Sequence, residues 1–239
     1  IDDWFQMLNR GMRRTVFGNS DSHDVYGIEA GVPRNYVRSS TDQPAAIDKR
    51  EITEALHKLQ SFATFGPFLE VLVDGKGSGS TVAPDAEGKV KLAIRVQSPR
   101  WFDVDRLEVY RNGVLIKVIS GRPDCPADAK DCLRLPNTQV LNFDATVEDT
   151  PGEDAWYVVI AMGLDGKGLA PVYSSTPVAR LGMFELVQRL TPLLPPLRSL
   201  RTPLSPSITT VRPYAVTNPI FVDNDGDGII KAKDAMPAW

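Results

Sequence analysis

The segment Val90-Lys91-Leu92-Ala93-Ile94-Arg95-Val96 decides the fold of the middle of this chain, because large apolar residues occupy every second position. Successive side chains of a β-strand point to opposite faces, so this period predicts a strand with one buried and one solvated face. Asn112-Gly113 lies between two apolar runs and favours a tight hairpin turn, because both turn positions need a positive φ. Trp156 to Ala161 and Val172 to Val178 add short strands. These patterns predict an antiparallel β-sandwich over residues 67–181.

The preceding residues follow a helical pattern. A first predicted helix is capped by Asp2 or Asp3 and presents apolar residues at helical spacing, namely Trp4, Phe5, Leu8 and Met12. A second follows the capping-box sequence Asp48-Lys49-Arg50-Glu51 and has an apolar stripe of Ile52, Leu56 and Leu59. His57 adjoins that stripe, and we interpret it as a surface or edge histidine rather than a ligand.

An Asp-x-His pair, Asp21 and His23, follows the apolar run Thr15-Val16-Phe17, which we interpret as a short buried parallel strand. In a β/α barrel, catalytic side chains lie where strands end and loops begin. Two residues apart on an extended backbone, both side chains could reach one ion, and their oxygen and nitrogen donors suit zinc, manganese or iron. The alternative is a polar turn in which Asp21 caps the following segment and His23 is solvated.

Two motifs here resemble a known family. Gly18-Asn19-Ser20-Asp21-Ser22-His23, followed by Gly31-Val32-Pro33-Arg34-Asn35-Tyr36-Val37, resembles the last metal-binding motif of the PHP (polymerase and histidinol phosphatase) superfamily, and more narrowly the CehA/McbA-type metallohydrolases. Matching segments follow in the expected order at Phe65 to Glu70, Pro99 to Asp105 and Thr217 to Ile220. The resemblance implies that residues 1–66 are the last unit of a PHP-like β/α barrel. It also implies that Asp21 and His23 hold a divalent metal whose bound water attacks a small-molecule phosphoester, ester or carbamate.

A PHP active site is assembled from several histidines and acids and usually begins with an H-x-H pair. This chain has 2 histidines and no such pair. We therefore expect the other ligands in an amino-terminal part of the same protein, before Ile1, which would be the partner of this chain. The chain alone is expected to have little or no hydrolase activity, since two protein ligands hold an ion weakly.

Arg34 lies in the second of these motifs. A guanidinium fork matches phosphate and carboxylate oxygens, so we expect Arg34 to stabilise charge on the substrate or to fix the motif loop. An ordinary surface salt bridge is the alternative.

The two cysteines, Cys125 and Cys132, bracket a short polar loop. Such spacing suggests a local disulfide and an oxidising compartment, either extracellular or periplasmic, whereas two free thiols would be the alternative. The net charge of −3 gives no reason to expect nucleic acid, and no apolar stretch is long enough to cross a bilayer.

Residues 182–239 are predicted to form a tail. A short amphipathic helix, Phe184 to Leu190, precedes a Pro-rich stretch that is expected to run extended over the surface. Near the end, residues 223–234 match the calcium-loop template, with a glycine at position six. The predicted calcium ligands are Asp223, Asp225, Asp227, the Ile229 carbonyl and Asp234. The alternative is a solvated Asx-turn.

Two functions from different classes fit these observations. The first is the carboxyl-terminal portion of a divalent-metal-dependent hydrolase, built from a barrel unit, a β-sandwich and a tail. The second is a secreted, non-catalytic β-sandwich binding module with a calcium loop.

Overall fold

The computed structural model describes residues 1–20, 33–99, 102, 104–121, 132–133, 140–163 and 212–230. Within these residues the helices are α1 (Asp2–Asn9), α2 (Lys49–His57) and a 3₁₀ turn (Pro44–Ala46). The strands are β1 (Arg34–Val37), β2 (Ser61–Thr64), β3 (Phe68–Val73), β4 (Thr81–Val82), β5 (Val90–Pro99), β6 (Arg106–Arg111), β7 (Val114–Gly121), β8 (Cys132–Leu133), β9 (Val140–Asp149), β10 (Ala155–Met162), β11 (Tyr214–Thr217) and β12 (Ile220–Val222). No described helix has both the length and the apolar character needed to span a membrane.

The strands form two sheets. A 3-stranded sheet has the order β3-β5-β9, and a 9-stranded sheet has the order β1-β2-β11-β10-β6-β7-β8, with β12 paired to both β10 and β4. Pairing is antiparallel except for the short β12–β4 and β7–β8 pairs. Sheets of the sandwich type are therefore present, but they include β1, β2, β11 and β12 from outside the predicted range 67–181.

The core between the sheets follows the alternation that the sequence shows. In β5, Val90, Leu92, Ile94 and Val96 are buried while the residues between them are exposed. Their side chains pack in one cluster with those of β3 and of the inward face of the larger sheet, including Leu107, Val109 and Tyr157. Burial of each such side chain contributes about 1.5–3 kcal/mol, so this layer is the main source of stability.

Strand β10 is buried on both faces, which explains its unbroken apolar sequence. Tyr157 and Val159 face the core between the sheets. Trp156, Val158 and Ile160 face the other way, where they pack with α1 through Phe5 and Leu8 and with residues from β2, β11, β12 and the end of α2. The described residues of the first 66 positions thus share a sheet and a core with the strands that follow.

The prediction that residues 1–66 form the last unit of a β/α barrel is wrong. A β/α barrel needs parallel strands joined by helical crossovers, whereas β2 pairs antiparallel with both β1 and β11. Thr15-Val16-Phe17 is not a strand: the Val16 amide donates to Asn218 Oδ1 over 2.8 Å, and Thr15 Oγ1 donates to the Leu56 carbonyl over 2.8 Å. The Val16 amide is bonded to a side chain, so it is not available to a sheet ladder.

Of the turns and helix caps predicted from local sequence, some are confirmed and one is wrong. Asn112 and Gly113 form the β6–β7 hairpin turn with φ of 51° and 83°, as expected. Asp48 caps α2 by accepting from the Arg50 amide, but α1 begins without a side-chain cap. The predicted strand at 172–178, the helix at 184–190 and the Pro-rich stretch lie outside the described residues.

Candidate functional site

The predicted metal ligands Asp21 and His23 lie outside the described residues, but the segment that leads into them is held firmly. The side chain of Asn35 in β1 accepts from the Gly18 amide over 2.9 Å and donates to the Gly18 carbonyl over 2.8 Å. Gly18 belongs to the first motif and Asn35 to the second, so these two hydrogen bonds join the two motifs. We name this pair the Gly18–Asn35 clamp.

Gly18 fits the clamp because it has no side chain. A Cβ built there would lie 2.9 Å from Pro33 Cβ and 3.2 Å from Ala63 Cβ, closer than packed carbons normally approach. Glycine at position 18 therefore allows the first motif to lie directly against β1 and β2.

Arg34 lies in β1, the edge strand of the larger sheet, and is exposed. Its Cζ lies 6.0 Å from the centroid of the Tyr36 ring. Among the described carboxylates, none forms an ion pair with Arg34, so the surface salt bridge has no partner in that part of the chain. Arg34 lies on the face of β1 that carries Tyr36, whereas the side chain of Asn35, which holds the first motif, points to the other face.

His57, the second histidine of the chain, is exposed near the end of α2. This exposure agrees with its interpretation as a surface histidine.

The Asp-rich loop at residues 223–230 is ordered by its own carboxylates. Asp223 accepts from the amides of Gly226 and Gly228 over 2.8 and 3.0 Å. Asp225 accepts from the Asp227 amide over 3.1 Å, and Asp227 accepts from the Ile229 amide over 2.7 Å. The loop turns at two glycines with positive φ, as the calcium template requires of Gly228. Asp234, the predicted twelfth-position ligand, lies outside the described residues.

One acid in this loop region was missed by the sequence analysis. Carboxylate oxygens of Asp154, Asp225 and Asp227 lie within 4.8 Å of one another, and Asp154 is 6% exposed. Asp154 also accepts from the Asn224 amide over 2.9 Å. It precedes β10, and no spacing rule links it to a loop 70 positions away. Strand pairing between β10 and β12 brings the two together.

Three clustered carboxylates have the chemistry of a hard-cation site. Calcium takes six to eight oxygen ligands, and a divalent charge relieves the repulsion among the acids. Exposed acids also cluster without an ion, and Asp223 already accepts two amides, so the cluster permits calcium without requiring it.

The predicted disulfide is not decided by the described residues. Cys132 begins β8, whereas Cys125 lies outside them. The bridge stays a prediction.

Two partly buried polar clusters are part of the sandwich rather than of a catalytic site. Burial, together with the hydrogen bond to Asp149, raises the pKa of the Tyr157 hydroxyl, and Arg111 pairs with the same carboxylate over 2.8 Å. Burial raises the pKa of Tyr110 in the same way, followed by its bond to Glu108. Each hydroxyl is held neutral as a donor, which favours a structural role.

Comparison of the chain with known protein families, curated proteins and solved structures found no match.

Proposed function

We propose that this chain is the carboxyl-terminal portion of a divalent-metal-dependent hydrolase, in which Asp21 and His23 supply two of the metal ligands. The observation that carries the proposal is the Gly18–Asn35 clamp, since it fixes the backbone three residues before Asp21. A site binds its metal ion more tightly when the backbone that carries the ligands is held in place before the ion binds. The donor set of one carboxylate and one imidazole suits zinc, manganese or iron.

In this proposal the bound metal supplies a water of lowered pKa as the nucleophile. The chain contributes position. The clamp holds the ligand-bearing loop against β1 and β2, and the substrate class is a phosphoester, ester or carbamate. Arg34 extends from the other face of β1 than Asn35, so it is not assigned to this site. The other ligands come from the amino-terminal part that the resemblance implies.

The test joins this chain to that amino-terminal part and loads the protein with zinc or manganese. Hydrolysis of 4-nitrophenyl phosphate and 4-nitrophenyl acetate is then measured for the wild type and for Asp21→Asn and His23→Gln. We expect each substitution to lower kcat/KM by about 100-fold or more, because a lost ligand weakens both the ion and its water. His57→Gln is the matched control and should retain activity. Equal activity in His23→Gln and the wild type would refute the proposal.

A second function is favoured by a separate observation, the approach of Asp154 to Asp225 and Asp227. Here the chain is a β-sandwich binding module, extracellular or periplasmic, whose tail is fixed to the sandwich by calcium. Calcium should raise the melting temperature of the chain and a chelator should lower it. The first function would be favoured by two results together: calcium leaves the melting curve unchanged, and hydrolase activity depends on His23.

A further inference from the structure

An open cleft of about 490 Å³ lies where the edges of the two sheets meet. The larger sheet contributes β1 and β2, the smaller sheet contributes β3, and the turn at residues 75–78 closes one end. The volume is in the range of small-ligand sites. None of the described residues of the metal motif or of the Asp-rich loop lines this cleft.

The cleft contains a group of three aromatic rings. Tyr36 in β1 and Phe62 in β2 are cross-strand partners, and their rings stack with centroids 4.9 Å apart and planes 9° apart. Phe68 in β3 stands edge-on to both rings, with centroid distances of 5.2 and 5.1 Å. β1 is the edge strand, so no described strand continues the stack beyond Tyr36, which is 40% exposed.

Two arginines lie on the same side of β1 as Tyr36. Side chains two residues apart on a strand share a face, which places Arg34 and Arg38 on either side of the Tyr36 ring. Arg38 lines the cleft, and neither arginine forms an ion pair with a described carboxylate. On the opposite wall, Glu70 lies 3.9 Å from Arg95, whose closer partner is Asp144 at 3.0 Å. The β1 side of the cleft is therefore positively charged.

We propose that this cleft binds a small aromatic carboxylate. The flat ring of the ligand extends the Phe62–Tyr36 stack on its open side. The carboxylate of the ligand pairs with one of the two arginines beside Tyr36. Offset stacking needs a planar apolar ring. A guanidinium pairs a carboxylate through two parallel N–H groups. A neutral aromatic ligand would make no ion pair with the arginines, and an aliphatic acid would not stack on the Tyr36 ring. The ligand therefore needs both a planar ring and a carboxylate.

The test uses three ligands of similar size with the purified chain and follows amide chemical shifts by NMR titration. Benzoate has a ring and a charge, benzamide keeps the ring without the charge, and cyclohexanecarboxylate keeps the charge without a flat ring. We expect a dissociation constant of about 1 mM for benzoate. The other two ligands should bind about fivefold more weakly or worse, because each lacks one interaction. No metal is added, so the outcome does not depend on the proposed hydrolase function.

Variants locate the site. Tyr36→Leu keeps an apolar side chain but removes the flat ring, and Arg38→Gln removes one charge. Each should weaken benzoate binding by about fivefold. Arg10→Gln, at the end of α1, is the matched control and should bind as the wild type does. The proposal is overturned if benzoate at about 20 mM causes no shifts. It is also overturned if all three ligands bind alike, or if folded Tyr36→Leu binds benzoate with unchanged affinity.

Discussion

The indole nitrogen of Trp156 donates a hydrogen bond of 2.8 Å to the side-chain oxygen of Asn9, although the two residues are 147 positions apart. Asn9 donates in turn to the Asn112 carbonyl over 3.1 Å, and Asn112 Oδ1 accepts from the Trp156 amide over 2.8 Å. All three residues are buried. The last residue of α1 is thereby fixed to the β6–β7 turn and to β10, which makes α1 part of the sandwich.

Replacing Asn9 with alanine should destabilise the chain by about 2–3 kcal/mol, because the indole N–H and the Asn112 carbonyl would each lose a buried partner. Urea denaturation followed by tryptophan fluorescence measures this cost. Asn19→Ala, at an exposed position, is the control and should change stability by less than about 0.5 kcal/mol. Equal midpoints for the two variants would show that the buried network adds no stability.

Gly79→Ala should be among the most damaging single substitutions in the described part of the chain. A Cβ at this position would lie 1.8 Å from the Lys58 carbonyl oxygen, and its φ is +83°. We expect a loss of about 3 kcal/mol or more, or failure to fold. Gly75→Ala separates the two causes, because Gly75 has a similar φ of +74° but open space around it, and it should cost about 1–2 kcal/mol. Similar losses in both variants would assign the effect to backbone conformation alone.

Asn35→Ala should cost about 1–2 kcal/mol by removing both hydrogen bonds of the Gly18–Asn35 clamp. Asn35→Asp keeps an acceptor for the Gly18 amide but places a carboxylate against the Gly18 carbonyl, so it should also destabilise. Thermal denaturation gives the stability, and titration with zinc tests whether the ligand-bearing loop depends on the clamp. Unchanged stability and zinc affinity in Asn35→Ala would remove the main support for the hydrolase proposal.

Asp154→Asn should reduce the stabilisation by calcium without removing the side-chain oxygen that accepts from Asn224. At free calcium of about 100 to 1,000 times the dissociation constant, a bound ion stabilises the fold by roughly 2–4 kcal/mol. Loss of the buried carboxylate should remove much of this gain, as should Asp225→Ala in the loop itself. Differential scanning calorimetry with calcium and with chelator measures it, and exposed Asp42→Asn is the control. A calcium response in Asp154→Asn equal to that of the wild type would exclude Asp154 as a ligand.

Stability should fall at alkaline pH because of buried tyrosines. Burial raises the pKa of Tyr214 to about 12, followed by the nearby charge of Glu108, and raises the pKa of Tyr157 as well. The folded state holds these protons more tightly than the unfolded chain, in which tyrosine has its ordinary pKa of about 10. Their contribution is therefore complete below pH of about 10 and is lost as pH rises toward the pKa of the folded state.

Tyr214→Phe tests this effect because the buried Tyr214 hydroxyl has no hydrogen-bond partner among the described residues. At neutral pH the variant should be as stable as the wild type or more stable by up to about 1 kcal/mol. Between about pH 10 and 12 its loss of stability should be smaller. Tyr157→Phe should instead be less stable at neutral pH, since Tyr157 donates to Asp149 over 2.6 Å. The measurement is the urea midpoint of each variant across the pH range. Parallel pH profiles for Tyr214→Phe and the wild type would show that Tyr214 does not cause the alkaline loss of stability.

The elements that were predictable from sequence are those specified by neighbouring residues. The alternation in β5 and the Asn112-Gly113 turn contain their own structural signals, and both formed as expected. The place of residues 1–66 is decided by partners far along the chain: Asn218, for example, bonds to both Val16 and Ser61. Asp154 joins the Asp-rich loop for the same reason. An apolar run such as Thr15-Val16-Phe17 has the same local pattern whether it enters a parallel barrel or bonds to a distant asparagine.

The position of β11 between β2 and β10 has a consequence for synthesis on the ribosome. Thr64 at the end of β2 bonds to the carbonyl of Tyr214, 150 positions later. At about 5–20 residues per second, the ribosome needs roughly 8–30 s to make that interval. Until β11 emerges, β2 has no strand connecting it to β10, and Phe5 and Leu8 lack part of the surface that covers them. Helix α1 and strands β1 and β2 therefore cannot join the sheet until nearly all of the described residues have been synthesised.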